Sequence, residues 1–325
     1  MKPDPVSGQT SPTPAALARL VVVLGPTASG KSELALEVAG RFGGEIVNFD
    51  SVQIRRGLDI GSAKLPAGQR RGIPHHLIDI AEPGDAFSAG DYARLGRRAL
   101  ETIRDRGKLP VAVGGTGFYL RALIEGLFPG PGRCQPLRER LVAGAASHPP
   151  GYLHRLLRRL DPVSAGRIHP NDTPKLIRAI EVRLLEGSPL PALWAAGRDP
   201  LRGFEVIRLG LDPPRAELYA RINRRSEEMF ARGLAGEVKE LLASGVGREA
   251  PAFRSLGYSQ ALDQLDGKLS PQAAVELTAK QTRRYAKRQM TWFRREPDVE
   301  WLREFGDDPA LRGEALEYLR QKIEP

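Results

Sequence analysis

Cysteine is almost missing from this chain: among 325 residues there is one, Cys134. A single thiol cannot close an internal disulfide or supply a cysteine-based zinc site, so both scaffolds are excluded. Long apolar runs are missing too. None approaches the ~20 residues that a membrane-spanning helix needs, so no membrane partner is expected. Residues 1–18 are rich in Pro, Ser and Thr and lack the apolar centre of a signal peptide; they read as a disordered leader. Together these absences fit a protein of a reducing cytoplasm. Acidic residues are the minority charge, with Asp and Glu numbering 39 against 49 Lys and Arg, a net charge of +10. An arginine-rich, well-solvated surface gives that balance, and so does a polyanion-binding footprint. Charge alone does not choose between them.

What is present is more specific. Gly25-Pro26-Thr27-Ala28-Ser29-Gly30-Lys31-Ser32 is a complete phosphate loop, G-x-x-x-x-G-K-[ST]. It follows the apolar run Leu20 to Leu24 and precedes a helical pattern starting at Glu33, the strand–loop–helix setting the motif requires. Its glycines let backbone N–H groups close around phosphate oxygens, and the helix N-terminus adds partial positive charge. Lys31 is placed to reach a terminal phosphate, and the Ser32 hydroxyl to hold Mg²⁺. Further strands are predicted at Glu45 to Phe49, Leu109 to Val113 and Phe204 to Leu211, with helices at Glu33 to Phe42 and Asp91 to Arg106. This alternation argues for an α/β fold: a parallel sheet of the P-loop NTPase type, flanked by helices, with ligands at the strand C-termini. The breaker cluster Pro129-Gly130-Pro131-Gly132 marks a boundary, after which the pattern is helical and basic. We therefore expect a phosphate-loop core over 19–128 and 203–325, interrupted by a helical insertion over 129–202. From Arg215 onward the chain reads as mostly helical.

Three further segments carry candidate chemistry. Asp50-Ser51-Val52-Gln53 ends the second strand, where a carboxylate faces the phosphate site; it serves as a general base or metal organiser, or merely caps a turn. The third strand ends in Gly114-Gly115-Thr116-Gly117, without the acidic residue that a motor ATPase places there to hold Mg²⁺ and position water. That weakens an ATPase reading. Late in the chain, Thr282 to Arg295 interleaves basic and aromatic residues; at helical spacing Arg284, Arg288 and Arg295 share one face, and Tyr285, Gln289 and Trp292 another. The pair His75-His76 points its rings apart on a strand or helix and has no clear third ligand nearby, so a metal site there is not expected.

In this order the segments resemble the bacterial tRNA dimethylallyltransferases, also called tRNA isopentenyltransferases. The likeness rests on residues 25–32, Asp-Ser-Val-Gln at 50–53, Gly-Leu-Asp-Ile-Gly-Ser-Ala-Lys at 57–64 and Pro-His-His-Leu-Ile-Asp at 74–79. It continues through Val-Gly-Gly-Thr-Gly-Phe-Tyr at 113–119, His-Pro-Asn-Asp at 169–172, Gly257-Tyr258 and Lys-Arg-Gln-Met-Thr-Trp-Phe-Arg at 287–294. Departures are Arg55 where an aromatic is usual, Ser62 for Thr and Leu65 for Pro.

The resemblance implies transfer of a dimethylallyl group from dimethylallyl diphosphate to N6 of the adenosine just 3′ of a tRNA anticodon. Gly25, Pro26, Thr27, Ala28, Ser29, Gly30, Lys31 and Ser32 would bind the donor diphosphate rather than ATP, with Mg²⁺ at Ser32. Asp50 would be the base, Thr116 would orient the adenine, and Arg225, from the run Arg221-Ile222-Asn223-Arg224-Arg225, would join the diphosphate clamp. The implied tRNA contacts are Asp50, Ser51, Val52, Gln53, Thr116, Arg138, Pro174, Lys175, Leu176, Ile177 and Arg178. They continue with Arg254, Ser255, Leu256, Gly257, Tyr258 and Ser259, then Lys287, Arg288, Gln289, Met290, Thr291, Trp292, Phe293 and Arg294. The implied partner is the tRNA anticodon stem-loop, and the implied enzyme a monomer. Rival readings are a small-molecule kinase, an isopentenyltransferase acting on AMP, and a non-catalytic RNA-binding module.

Overall fold

A computed structural model describes residues 17–195 and 197–324. Residues 1–16, most of the expected leader, lie outside the described residues. The opening strand β1 (Ala18–Leu24) carries three consecutive valines and is buried along Leu20–Leu24. β-branched side chains of this kind suit a strand covered on both faces. It runs through the phosphate loop into α1 (Lys31–Arg41), and then come β2 (Gly44–Asn48), the short β3 (His75–His76) and α2 (Ala89–Asp105). Ser88 and Asp91 form a capping box that fixes the start of α2. β4 (Leu109–Val113) leads to α3 (Gly117–Ile124).

Five helices follow: α4 (Gln135–Ser147), α5 (Tyr152–Leu160), α6 (Pro162–Arg167), α7 (Thr173–Glu186) and α8 (Leu190–Ala195). The chain then re-enters the sheet through β5 (Phe204–Leu211). It ends with α9 (Arg215–Ala231), α10 (Leu234–Ala243), α11 (Tyr258–Leu265), α12 (Pro271–Phe293), β6 (Val299–Leu302) and α13 (Pro309–Ile323).

The sheet has six strands in the order β3-β2-β4-β1-β5-β6, and each neighbouring pair is parallel. The α/β class read from the sequence is the fold that forms. Because β1 sits between β4 and β5, the loops after β1, β2 and β4 open on one crevice at the strand C-termini. Helices α1 and α13 cover one part of the sheet through Leu34, Val38, Leu311 and Leu319. A second apolar cluster, with Leu58, Leu234, Phe253 and Tyr258, holds α10 and α11 together.

Two strands escaped the sequence reading. β3 has only two residues and is followed by Leu77 in the left-handed region, so it shows no alternation to detect. β6 is a four-residue edge strand directly after Asp298, also left-handed, within a stretch that otherwise reads as helical.

The chain divides into two compact units, one formed by the sheet region up to Leu123 and from Leu201, the other by Ile124–Pro200. The second unit has its own core, including Leu137, Leu141, Leu157, Leu176 and Ile180. At its centre lies the buried Glu181, which accepts from Arg138 through Nε and Nη2 at 2.8 and 2.7 Å and from Arg178 at 2.7 Å. Burial pushes the Glu181 carboxyl up, but hydrogen bonds from Arg138, Arg178 and the Cys134 amide outweigh it and hold the group at about 2. Among the described residues no helix is long and apolar enough to cross a membrane.

Candidate active site

The phosphate loop adopts the conformation that its residue types predict. Gly25 and Gly30 both have positive φ, and Gly30 caps α1 from the left-handed region. A Cβ on Gly30 would lie 2.8 Å from the amides of Gly306 and Asp307, so the loop after β6 presses directly on it. Ser29 is buried, its hydroxyl donating to the Pro26 carbonyl at 2.8 Å, whereas Ser32 is exposed. Lys31 Nζ donates to the same carbonyl at 2.6 Å. Burial, aided by nearby Arg225 and opposed by Asp50, brings the Lys31 ammonium down to about 7.

Asp50 follows β2, as expected. Its Oδ1 accepts from the Val52 and Gln53 amides at 2.8 and 3.3 Å, an Asx turn that fixes the carboxylate and leaves Oδ2 for other work. Asn48 steadies the same turn by accepting from the Asp50 amide at 3.2 Å. Thr116 is joined to it: Thr116 Oγ accepts from the Ser51 amide at 3.0 Å and donates to Ser51 Oγ at 3.2 Å. Gly114 makes that approach possible, since a Cβ there would sit 2.6 Å from the Phe49 backbone.

Two adjoining cavities lie over the strand C-termini. One, of about 490 Å³, is lined by Thr27 to Glu33, Asn48, Asp50, Gln53, Gly114, Arg225 and Asp307 among others. The other, of about 350 Å³, is lined by Asp50, Ser51, Val52, Met229, Arg254, Ser255, Leu256, Thr278, Thr282 and Arg288 among others. Thr27, Ala28, Asp50, Ser62, Arg225 and Tyr285 border both, so the two cavities meet at the Asp50 carboxylate. Of Arg221, Arg224 and Arg225 in α9, only Arg225 lines these two cavities. Arg221 pairs with Asp307 at 2.7 Å, and Arg224 lies 3.8 Å from Glu228 on an exposed face. Burial pulls the Arg225 guanidinium below its ordinary range, against the opposing pull of Asp50.

Helix α12 closes the site. Gln289 is buried and its carboxamide joins two loops, accepting from the Thr27 amide at 2.8 Å and donating to the Gly115 carbonyl at 2.8 Å. Trp292 packs on Gly117, where a Cβ would come within 2.2 Å of its ring. Met290 and Phe293 are core residues, while Lys287, Arg288, Thr291 and Arg294 are exposed; Arg294 pairs with Asp212 at 3.1 Å. Among the other tRNA contacts that the resemblance implies, Tyr258 is fully buried with its hydroxyl on Glu237 at 2.6 Å, and Gly257 is buried beside it. Arg254 is exposed at the mouth of the second cavity, with Ser255, Leu256 and Ser259 half-buried. In the helical unit, Pro174 and Lys175 are exposed at the start of α7, Leu176 and Ile177 are core, and Arg138 and Arg178 hold Glu181.

Sequence reasoning placed Thr282 and Tyr285 in the basic–aromatic segment without giving either a site role, and did not single out Asp307. Tyr285 lies one turn before Gln289, and its hydroxyl donates to the Gly115 carbonyl at 3.3 Å; burial, with Asp50 adding to it, raises its pKa. The helical face shared by Tyr285 and Gln289 was the available signal. Asp307 reaches the phosphate cavity from the loop after β6, which no local pattern links to it. Arg55, the departure from the family pattern, is buried and donates through Nη1 to the Glu82, Pro83 and Asp85 carbonyls, so it pins a loop. His75 Nδ1 lies 2.8 Å from the Ile73 carbonyl and His76 Nε2 2.7 Å from Glu45, both away from the cavities.

No cluster of three or more His, Cys, Asp or Glu side chains able to hold a metal occurs among the described residues. The phosphate cavity does offer hard oxygen donors, the exposed Ser32 hydroxyl with Asp50 and Asp307 carboxylates nearby. That set fits Mg²⁺ bound jointly by a substrate's phosphates and water, and not an all-protein cage.

The model of a family described as IPP transferase matches residues 53–296. The chain is 55% identical to the tRNA dimethylallyltransferase of Solibacter usitatus over 92% of this chain and 97% of that protein. It is 46% identical to that of Geobacter metallireducens over 87% and 92%. Among solved structures it is similar to the full-length tRNA isopentenylpyrophosphate transferase of Bacillus halodurans, with a TM-score of 0.70, 37% identity and coverage of 94% and 97%. It is also similar to a eukaryotic dimethylallyltransferase acting on tRNA, with a TM-score of 0.80, 25% identity and coverage of 95% and 80%.

Proposed function

This chain belongs to the IPP transferase family, and from that premise we propose how its site works. The protein is a tRNA-modifying prenyltransferase that moves a dimethylallyl group from dimethylallyl diphosphate to N6 of the adenosine 3′-adjacent to the anticodon, releasing diphosphate. The observation that carries this reading is the junction of the two cavities at Asp50. The diphosphate occupies the phosphate-loop cavity, the adenine enters through the other, and the reacting atoms meet between them. The target base must leave the anticodon stack to arrive there.

The N6 amine is a weak nucleophile because its lone pair is delocalised into the ring. Thr116, held against Ser51, accepts from the amine and orients it, while Asp50 takes the proton as nitrogen bonds to the allylic carbon. The carbon–oxygen bond breaks as the carbon–nitrogen bond forms, and negative charge gathers on the departing diphosphate. Lys31, Arg225 and the amides of Gly30 to Ser32 stabilise that charge, with Tyr285 and Gln289 of α12 lining one side of the cavity. Mg²⁺ would be held by the Ser32 hydroxyl together with the substrate's phosphates, and would supply Lewis-acid stabilisation of the leaving group.

The test is incubation with labelled dimethylallyl diphosphate, Mg²⁺ and either tRNA or AMP, without ATP. Label is expected on tRNA alone. Label on AMP would instead support the free-nucleotide enzyme, and a requirement for ATP would support a kinase.

A further inference from the structure

Helices α9 and α12 both line the reaction cavities. Ile222, Arg225 and Ser226 of α9 and Thr278, Thr282 and Tyr285 of α12 line the cavities. A separate groove of about 230 Å³ lies against the opposite face of α12 and the first turns of α9, lined by Arg215, Tyr219, Lys280, Arg283, Arg284 and Lys287. Five of these six side chains are cations. Lys280, Arg283, Arg284 and Lys287 recur at helical spacing, so α12 presents them as one stripe, roughly 10 Å from the first Cα to the last. Among the described residues, none of the five has a carboxylate within ion-pair distance. That sets them apart from other arginines of the same region, since Arg221 is bound to Asp307 and Arg294 to Asp212. The groove is also organised: Arg215 Nε donates to the Tyr219 hydroxyl at 3.0 Å with its guanidinium 5.0 Å from the ring centroid, and Arg283 donates to Asn223 Oδ1.

Five neighbouring cations without counter-charge give this surface a concentrated positive potential, which suits an anionic partner. We propose that this groove binds the phosphodiester backbone of the substrate RNA, at a distance from the modified base. The inference rests on the prenyltransferase reading above, which supplies the RNA. An acidic protein partner would satisfy the charge equally, but the helices that build the groove are those that line the reaction cavity. A polyanion anchored here is therefore held in a fixed relation to the reacting base. Phosphate contacts of this kind position a nucleic acid without reading its sequence.

The test replaces Lys280, Arg283 and Arg284 together by Gln, removing charge while keeping helix-compatible side chains of similar length. A second triple variant, Lys108→Gln, Lys239→Gln and Lys322→Gln, removes the same charge from other exposed positions. Steady-state prenylation of tRNA is measured at several salt concentrations, with wild type in parallel and circular dichroism to check folding. The groove variant is expected to raise KM for tRNA about tenfold, to leave kcat at saturating tRNA and KM for the donor unchanged, and to lower the slope of log KM against log salt by about two to three. The control is expected to keep KM within about twofold. Restoring charge with Lys280→Arg, Arg283→Lys and Arg284→Lys should return KM to the wild-type range. An unchanged tRNA KM in the groove variant would overturn the proposal and point to another partner; so would an equal rise in the control, which would mark a diffuse charge effect. Wild-type enzyme that fails to prenylate tRNA would instead remove the reading on which the proposal rests.

Discussion

Lys31 shows how far residue types alone carry the account. Its place in the phosphate loop was legible because G-x-x-x-x-G-K-[ST] between a strand and a helix has one common geometry. Its protonation was not legible, because burial and the charges of Asp50 and Arg225 come from segments far apart in sequence. With the ammonium brought down to about 7 in the folded protein, it is half neutral at neutral pH. An unfolded lysine titrates near 10.5, so between pH 7 and 10.5 the unfolded chain holds the extra proton, and this group's contribution to stability rises with pH across that window. Donor binding has the opposite sign, because a diphosphate prefers the charged form. KM for dimethylallyl diphosphate should therefore rise as pH increases from 6 to 9, with KM for tRNA following a different profile. Lys31→Arg should flatten the donor profile over that range. A donor KM that falls with pH would contradict this assignment.

Helix α12 was recognisable from its period, and the buried face of Gln289 and Trp292 was separable from its basic face. What that buried face does was hidden. A glutamine in a basic, aromatic segment reads as an RNA contact, yet Gln289 is 5% exposed and bridges the phosphate loop to the Gly115 strand end. Only the fold brings Thr27 within a hydrogen bond of a residue 262 positions away. Such a residue acts on the reaction by positioning. Gln289→Met keeps the volume but leaves the Thr27 amide without its partner, at a cost of about 1–3 kcal/mol, while the Gly115 carbonyl keeps the Tyr285 hydroxyl. We expect a loss of roughly 1–3 kcal/mol in denaturant unfolding and a donor KM raised about tenfold, with tRNA affinity in a binding assay little changed. Weakened tRNA binding with normal donor kinetics would mean that Gln289 touches RNA after all. The same fold-level logic explains why β3 and β6 were missed: each is a short edge strand whose existence depends on its neighbour more than on its own pattern.

At the scale of the whole molecule, the α/β class and the order of motifs were readable because alternating strands and helices, punctuated by Gly and Pro, leave few topologies open. The meeting of two cavities at Asp50 was not, since it depends on α9, α12 and the loop after β6 converging on the sheet's C-terminal edge. On the proposed reading, that convergence turns a motif shared with nucleotide-hydrolysing enzymes into a clamp for a leaving group: the phosphate chemistry is unchanged, and the bond broken is carbon–oxygen. The most direct test uses dimethylallyl diphosphate whose bridging oxygen is isotopically heavy, with tRNA and Mg²⁺, followed by mass analysis of the products. The account predicts that all the heavy oxygen leaves in the diphosphate and none appears in the tRNA or in an isoprenoid alcohol. Heavy oxygen retained on the organic fragment would show phosphorus–oxygen cleavage and contradict it.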